Sequence, residues 1–277
     1  MRKTLGAVAL GAVLLIPAAR AVEPVAEYNF QNTLASSVAG APDLAHLVDA
    51  TGQVQNTFTT AAVDGASRTV LHFPQFNGLV LAPTTGLIQN GAYTIAILFS
   101  FEETDGYRRI LDFKNGTTDN GVYSLGGNLN FYPLTTGSGT PITENVFHHV
   151  VITRDAGGNV AGYVDRAPAI SFTDTSGNAV VDENNRLRFF QDNTGGAATV
   201  RESSAGNVAR IRVYDVALTA EEVAALDRLP AGIAPDRARL LRIVGGLEPA
   251  TAGDVATWDR NGDHALTLQD VAALFRS

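Results

Sequence analysis

Cysteine is absent from all 277 residues, which removes disulfides, thiolate zinc sites and cysteine nucleophiles together. Stability must therefore come from core burial and from bound metal. Basic residues are scarce, 20 Lys and Arg against 28 Asp and Glu, for a formal charge of −8. No basic cluster with interleaved aromatics occurs, so the charge argues against nucleic acid as a partner and is compatible with calcium and uncharged polysaccharides. No long apolar run follows the first residues, and helical periodicity is almost missing before the last sixty. Tryptophan occurs once, as Trp258.

The N-terminus reads as an export signal. Met1-Arg2-Lys3 is a short basic start, Leu5 to Ile16 is an apolar run too short to span comfortably, and Ala19-Arg20-Ala21 supplies the small residues a signal peptidase reads. Residues 1–21 are expected to be removed, leaving a secreted or periplasmic chain from Val22 with no stable membrane span. Losing Arg2, Lys3 and Arg20 deepens the charge to −11.

From Val22 to about Tyr214 short β-rich segments alternate with turn signals. Tyr93 to Phe101, Val146 to Arg154, Gly162 to Asp165, Leu187 to Gln191 and Val208 to Tyr214 are rich in β-branched and aromatic residues. Asn115-Gly116, Asp119-Asn120-Gly121, Gly126-Gly127-Asn128, Gly157-Gly158-Asn159 and Gly195-Gly196 separate them. This predicts an all-β antiparallel sandwich. Thr219, with Glu222 three residues on, predicts a capping box opening a short helix. Residues 229–235 read as a Pro/Gly linker, and Asp236 as the cap of a helix from Arg237 to Val244.

The stretch from Asp259 to Asp270 prescribes a chemistry. Oxygen side chains fall at loop positions one (Asp259), three (Asn261), five (Asp263), nine (Thr267) and twelve (Asp270), with the Ala265 carbonyl at seven. A hard cation wants six to eight oxygens, and short carboxylates on alternate residues of a turning chain converge on one point. Calcium is the expected ion, and Leu266 is expected to turn inward and tie the loop to the protein. His264 stands where such loops want Gly, and Asp270 replaces the longer bidentate Glu. The plainer alternative is an Asx-rich turn capping a helix.

Several segments together carry a family resemblance. Glu27 to Leu34 looks like an opening strand, and Val70 to Phe73 with Gly78 to Leu81 like a strand pair leading into the core. Phe147-His148-His149-Val150-Val151-Ile152-Thr153-Arg154, then Gly162-Tyr163-Val164-Asp165, is the most recognisable part, and Ala209 to Thr219 looks like a closing strand and its following helix. Over residues 22–228 the chain resembles the laminin-G-like, concanavalin A-like jelly rolls, with Phe147 in place of a usual Trp and Arg166 in place of a turn Gly. Residues 236–277 resemble a degenerate dockerin type I module, EF-hand-like, with calcium ligands only in its second repeat. That resemblance implies a protein partner for the tail, although Leu268 and Gln269 replace the usual hydroxyl-bearing partner-selecting residues.

Catalytic residues are not evident. Jelly-roll glucanases carry two Glu on one strand face in an ExDxxE run, and none exists here. Glu102 and Glu103 are adjacent and point to opposite faces, Asp182 to Asn185 reads as a loop, and Ser203-Ser204 lacks a nucleophile elbow. His148-His149 reads as structural. A second calcium site is conceivable at Asp192 and Glu202, on either side of a Gly-rich loop, although a solvated polar loop is the plainer reading of them. Tyr107, Tyr123, Phe131 and Tyr132 could stack on sugars, although most aromatics of a sandwich are core. Asn115-Gly116-Thr117 fits a glycosylation acceptor, a weak signal in a chain that reads as bacterial. The expectation is an exported, non-catalytic protein binding a polysaccharide or glycoconjugate. A scaffold subunit docking through its tail, or a glycoside hydrolase without a recognisable motif, are the alternatives.

Overall fold

The computed structural model describes residues 22–48, 54–89, 91–139, 141–192, 202–229, 235–247, 249, 265–269 and 271. The strands in chain order are β1 (Ala26–Tyr28), β2 (Leu44–Leu47), β3 (Thr57–Val63), β4 (Ala66–Phe73), β5 (Gly78–Leu81), β6 (Tyr93–Phe101), β7 (Tyr107–Asp112), β8 (Gly121–Leu125), β9 (Asn128–Tyr132), β10 (Thr135–Thr136), β11 (His148–Arg154), β12 (Asn159–Val164), β13 (Ala167–Thr173), β14 (Leu187–Phe189) and β15 (Gly206–Tyr214). Helices α1 (Ala220–Ala225) and α2 (Pro235–Val244) follow.

Two antiparallel sheets face each other. One runs β13-β12-β11-β6-β15-β4-β3, with β1 also paired to β15, and the other β10-β9-β8-β7-β14-β5-β2. The expected sandwich is the observed one. Val70 to Phe73 and Gly78 to Leu81 are strands that lead into the core, as expected; β4 and β5 lie in different sheets, and the Pro74–Asn77 turn carries the chain across. The opening strand is shorter, because Phe30 and Asn32 take positive φ (54° and 57°) and turn the chain out of the sheet.

The core lies between the sheets. Tyr93, Ile95, Ile97, Phe99 and Phe101 of β6 meet Leu111, Val122, Leu129, Phe131, Leu187 and Phe189 from the opposite sheet. The other side of β6 is buried too, since Ala96 and Leu98 pack in two further clusters on the outer face. That face is covered by the segment after β15. Leu218 and Val223 sit on Ala96, Val151, Tyr163 and Tyr214, while Leu229 and Phe147 sit by Leu98 and Ala209.

Helix α1 begins as the sequence predicts, with the Thr219 hydroxyl accepting from the Glu222 N–H and Glu222 accepting from the Thr219 N–H. Charges fasten this strap. Asp227 accepts from Arg210 and Arg212, and Arg228 donates to Asp64, Asp165 and the Phe147 carbonyl.

Helix α2 starts at Pro235, so Asp236 lies inside it and is not its cap; proline suits a helical first turn, where its missing N–H costs nothing. In the tail Leu240 and Val271 form a small cluster with Val244 and Leu266 packed against it. Leu266 thus takes the inward place expected of it. Residues 1–21, 230–234 and 250–264 lie outside the described residues, as do the predicted ligands Asp259, Asn261, Asp263 and Asp270. Of the predicted calcium loop, Ala265 is exposed and the Thr267 hydroxyl accepts from the Gln269 N–H at 3.2 Å. Among the described residues no helix is long and apolar enough to cross a membrane.

Candidate functional site

Strands β7, β8 and β9 of the seven-stranded sheet and three connections beside them meet at one place. Strand β7 brings Tyr107 and Arg109, β8 brings Tyr123, β9 ends in Tyr132, and the β7–β8 connection carries Asp119. Asp192 follows β14, and Glu202 precedes β15. A register shift between Arg109 and Leu111 marks a bulge in β7, which lets Ile110 and Leu111 both enter the core while Arg109 keeps its place beside Tyr123.

Arg109 is fully buried and organises the cluster. Its Nε and Nη2 both donate to Asp192 Oδ1, at 3.0 and 2.7 Å, and its Nη1 donates to the carbonyls of Asp119 and Asn120 at 3.2 Å. Its backbone N–H donates to the Glu202 carbonyl at 2.8 Å. The guanidinium lies over the Tyr123 ring, 4.0 Å from its centroid. Gly121 makes room, because a Cβ there would stand 2.5 Å from Arg109 Nη1 and 2.4 Å from the Leu111 carbonyl oxygen.

Three carboxylates converge beside this guanidinium. One oxygen each from Asp119, Asp192 and Glu202 lie within 4.8 Å of one another. Asp192 is only 5% exposed, and its Oδ1 takes both Arg109 donors and sits 3.2 Å from the Tyr123 hydroxyl. Its Oδ2 is buried with no hydrogen-bond partner among the described residues, a costly state for a carboxylate oxygen without a cation or donor. Burial, and then the neighbouring charges of Asp192 and Asp119, push the Glu202 carboxyl above the usual range. Calcium–oxygen distances of about 2.3–2.6 Å put ligands on opposite sides of the ion about 5 Å apart, so the donor set fits a hard cation.

A cavity of about 270 Å³ opens over the cluster, lined by Tyr107, Asp119, Tyr123, Tyr132 and Glu202. The tyrosine rings meet nearly at right angles: Tyr107 to Tyr123 at 5.3 Å and 78°, Tyr107 to Tyr132 at 5.8 Å and 88°, Tyr123 to Tyr132 at 6.5 Å and 80°. Tyr132 is 37% exposed at the rim, whereas Tyr123 is buried. The result is an aromatic corner with an acidic floor.

Asp192 and Glu202, singled out in the sequence, are therefore brought together, and Tyr107, Tyr123 and Tyr132 meet them. Phe131 instead points into the core. Asp119 and Arg109 were not anticipated. Asp119-Asn120-Gly121 reads as a turn, and Arg109 as one of two neighbouring basic residues; the only local signal was a charge next to the apolar pair Ile110-Leu111.

The remaining candidates are structural. His148 Nδ1 bonds Asp165 at 2.7 Å and its Nε2 accepts the Thr143 N–H at 3.0 Å. His149 is buried on the opposite face of the strand, and burial followed by Arg212 and Arg228 holds its pKa at about 3. The Ser203 hydroxyl accepts from the Phe76 N–H and the Ser204 hydroxyl from the Glu103 N–H.

Two antiparallel sheets packed in this way define the class as a jelly-roll sandwich. The chain belongs to the concanavalin A-like lectin/glucanases superfamily, whose laminin-G model matches residues 75–224. Among solved structures it is similar to domain 4 of AbnA, a GH43 extracellular arabinanase from Geobacillus stearothermophilus solved with arabinotriose. The identity is 16% and the TM-score 0.54, with 74% of this chain and 98% of that one covered. It is also similar to the binding domain of botulinum neurotoxin DC in complex with rat synaptotagmin II, at 9% identity and TM-score 0.51, covering 73% and 50%. A botulinum neurotoxin type C structure, from work on cell entry dependent on two ganglioside molecules, matches at 9% identity and TM-score 0.50 over the same shares. The chain thus spans half the length of those toxin chains. No curated protein sequence matches it.

Proposed function

We propose that the chain is an exported carbohydrate-binding module whose tyrosine corner receives a sugar above a calcium ion held by Asp119, Asp192 and Glu202. The observation that carries this reading is the meeting of three tyrosine rings with the carboxylates of Asp119 and Glu202 in one cavity, with Asp192 buried beside them. Aromatic faces suit the C–H faces of a sugar ring, carboxylates accept its hydroxyl protons, and a cation can take vicinal hydroxyl oxygens. The arabinotriose of the arabinanase domain supplies a first probe, and the ganglioside named for the toxin a second. In this reading residues 1–21 direct export. The Asp259–Asp270 loop is a calcium clip on a tethering or docking tail, supported by Leu266 packed against Leu240 and Val271.

The test is a glycan array followed by calorimetry, with and without calcium, on the intact chain and on Tyr132→Ala. Tyr132 is partly exposed, so its loss should leave stability unchanged and weaken the best glycan about tenfold, equivalent to about 1.4 kcal/mol. Array binding that survives Tyr132→Ala undiminished overturns the site, and an empty array overturns the function.

One observation favours hydrolysis as a second reading. Glu202 has a raised pKa and neighbouring carboxylates within 4.8 Å, near the separation of about 5–5.5 Å used by retaining glycosidases. New reducing ends from the bound glycan, abolished by Glu202→Gln, would establish it; intact glycan after prolonged incubation removes it.

A further inference from the structure

The carboxylates of the site stand on separate segments, and one residue touches all three of the residues that carry them. Arg109 bonds the side chain of Asp192, the carbonyl of Asp119 and, through its backbone N–H, the carbonyl of Glu202. The neighbouring Arg108 donates to Glu103 and the Tyr107 carbonyl, and its charge acts on Glu202 more weakly than that of Arg109. Arg109 also treats the two oxygens of Asp192 unequally. Both of its donors to that residue fall on Oδ1, and Oδ2 keeps no partner among the described residues.

Resting on the cation reading above, we propose that Arg109 is the positioning and valence-setting residue of this site. It presents Asp192 to the ion through Oδ2 alone, and its own charge brings the sum of the ionised groups to −2. Three carboxylates alone would total −3 and favour a trivalent ion by simple Coulomb attraction. With the guanidinium built in, a divalent ion leaves the cluster neutral, so that a ligand above it meets no net charge. That suits a neutral sugar, whose hydroxyls bring dipoles only. The stacking of the guanidinium on Tyr123, which lines the same cavity, couples ion and pocket mechanically: a shift of Arg109 moves the Asp192 oxygen and the ring together.

The experiment uses the full chain carrying Asp259→Ala and Asp263→Ala, which silences the tail loop. Tyrosine-sensitised terbium emission reports the trivalent ion, and competing calcium reports the divalent one. The parent should bind both. Arg109→Gln should raise the ratio of terbium to calcium affinity about tenfold or more, the order expected of one unit charge acting on one extra unit of valence near a protein surface. Arg109→Lys, which keeps the charge and loses the fork, should leave that ratio near the parent value while weakening both ions. Asp192→Asn, which takes the sum to −1, should lower it. A merely structural Arg109 would weaken both ions equally and leave the ratio unmoved, which overturns the proposal. If Arg109→Gln does not fold, an unmoved ratio in Asp192→Asn overturns it instead. No terbium emission from the parent site overturns the cation reading, and this proposal with it.

Discussion

Glu202→Gln separates the stability of the site from its use. Its carboxylate lies with those of Asp119 and Asp192 inside 4.8 Å. Two unit charges at that distance repel by about 1 kcal/mol in water and about 3 kcal/mol at an effective dielectric of 20. Arg109 offsets part of the repulsion and Glu202 is partly solvated, so the lower figure applies. Glutamine keeps the shape, removes the charge and can donate to a neighbouring carboxylate. The metal-free variant should therefore be more stable than the parent, by about 1 kcal/mol.

Calcium should reverse the order. At a free concentration a hundred times its dissociation constant, an ion that binds only the folded chain adds about 2.7 kcal/mol. The variant, short of one charged ligand, should gain only a few tenths of that. Urea unfolding in chelator and in calcium, with the tail loop silenced in both chains, measures the four stabilities. The parent and variant curves should exchange places between the two conditions. A variant less stable than the parent in chelator would mean that the carboxylates are held by favourable contacts without any ion. An equal gain in calcium would mean that Glu202 is not a ligand. Either result refutes the reasoning.

Two further outcomes follow from other parts of the molecule. His149 is buried with its pKa near 3, below the unfolded value near 6.5, so its contribution is full above pH 6.5 and lost as pH falls toward 3; His149→Gln should flatten the urea midpoint across that window, and an unchanged slope would place the titration elsewhere. In the tail, few apolar residues offset chain entropy, so calcium should raise the helical signal of the full chain, and Asp259→Ala with Asp263→Ala should abolish the rise; identical spectra with and without calcium would remove the clip.

The sandwich was legible because its signals are local. Turn residues and β-branched runs placed strands β6, β11, β12, β14 and β15, and the Thr219–Glu222 capping box is a four-residue feature. Sheet membership was not legible. Val70–Phe73 and Gly78–Leu81 follow each other as strands in sequence, but the turn between them carries the chain from one sheet to the other, a choice made by the core. The continuous apolar run of β6 likewise reflects a tertiary fact, the strap that covers its outer side. Arg166 could be seen to replace a turn glycine, and it does take φ 74°, next to Asp165 at 48°. Most of the candidate site was visible as Asp192, Glu202 and three tyrosines. Asp119 and Arg109 escaped, because what they do depends on segments about eighty residues away in the chain.

The strap also fixes where the domain must end. Leu218 and Val223 are buried against Val151, Tyr163 and Tyr214, and each such side chain contributes about 1.5–3 kcal/mol. Beyond them, Asp227 is the partner of the nearly buried Arg212 and shares Arg210 with Glu27, while Arg228 joins Asp64 to Asp165. Leu229 still packs beside Leu98 and Ala209, and Val22 and Leu226 rest on the same outer cluster. A chain cut after Leu229 loses none of these contacts. A chain cut after Val216 keeps only Val22 and the Glu27–Arg210 pair, uncovers Ala96 and Val151, and strips two buried guanidinium groups of the Asp227 carboxylate, in a domain whose whole stability is about 5–15 kcal/mol. The longer truncation should therefore keep the urea midpoint of the intact sandwich and its glycan and terbium binding, and the shorter one should fail to fold. Equal midpoints for the two would show that the strap is decoration. A loss of more than about 2 kcal/mol on cutting after Leu229 would show that the tail is part of the sandwich's own stability.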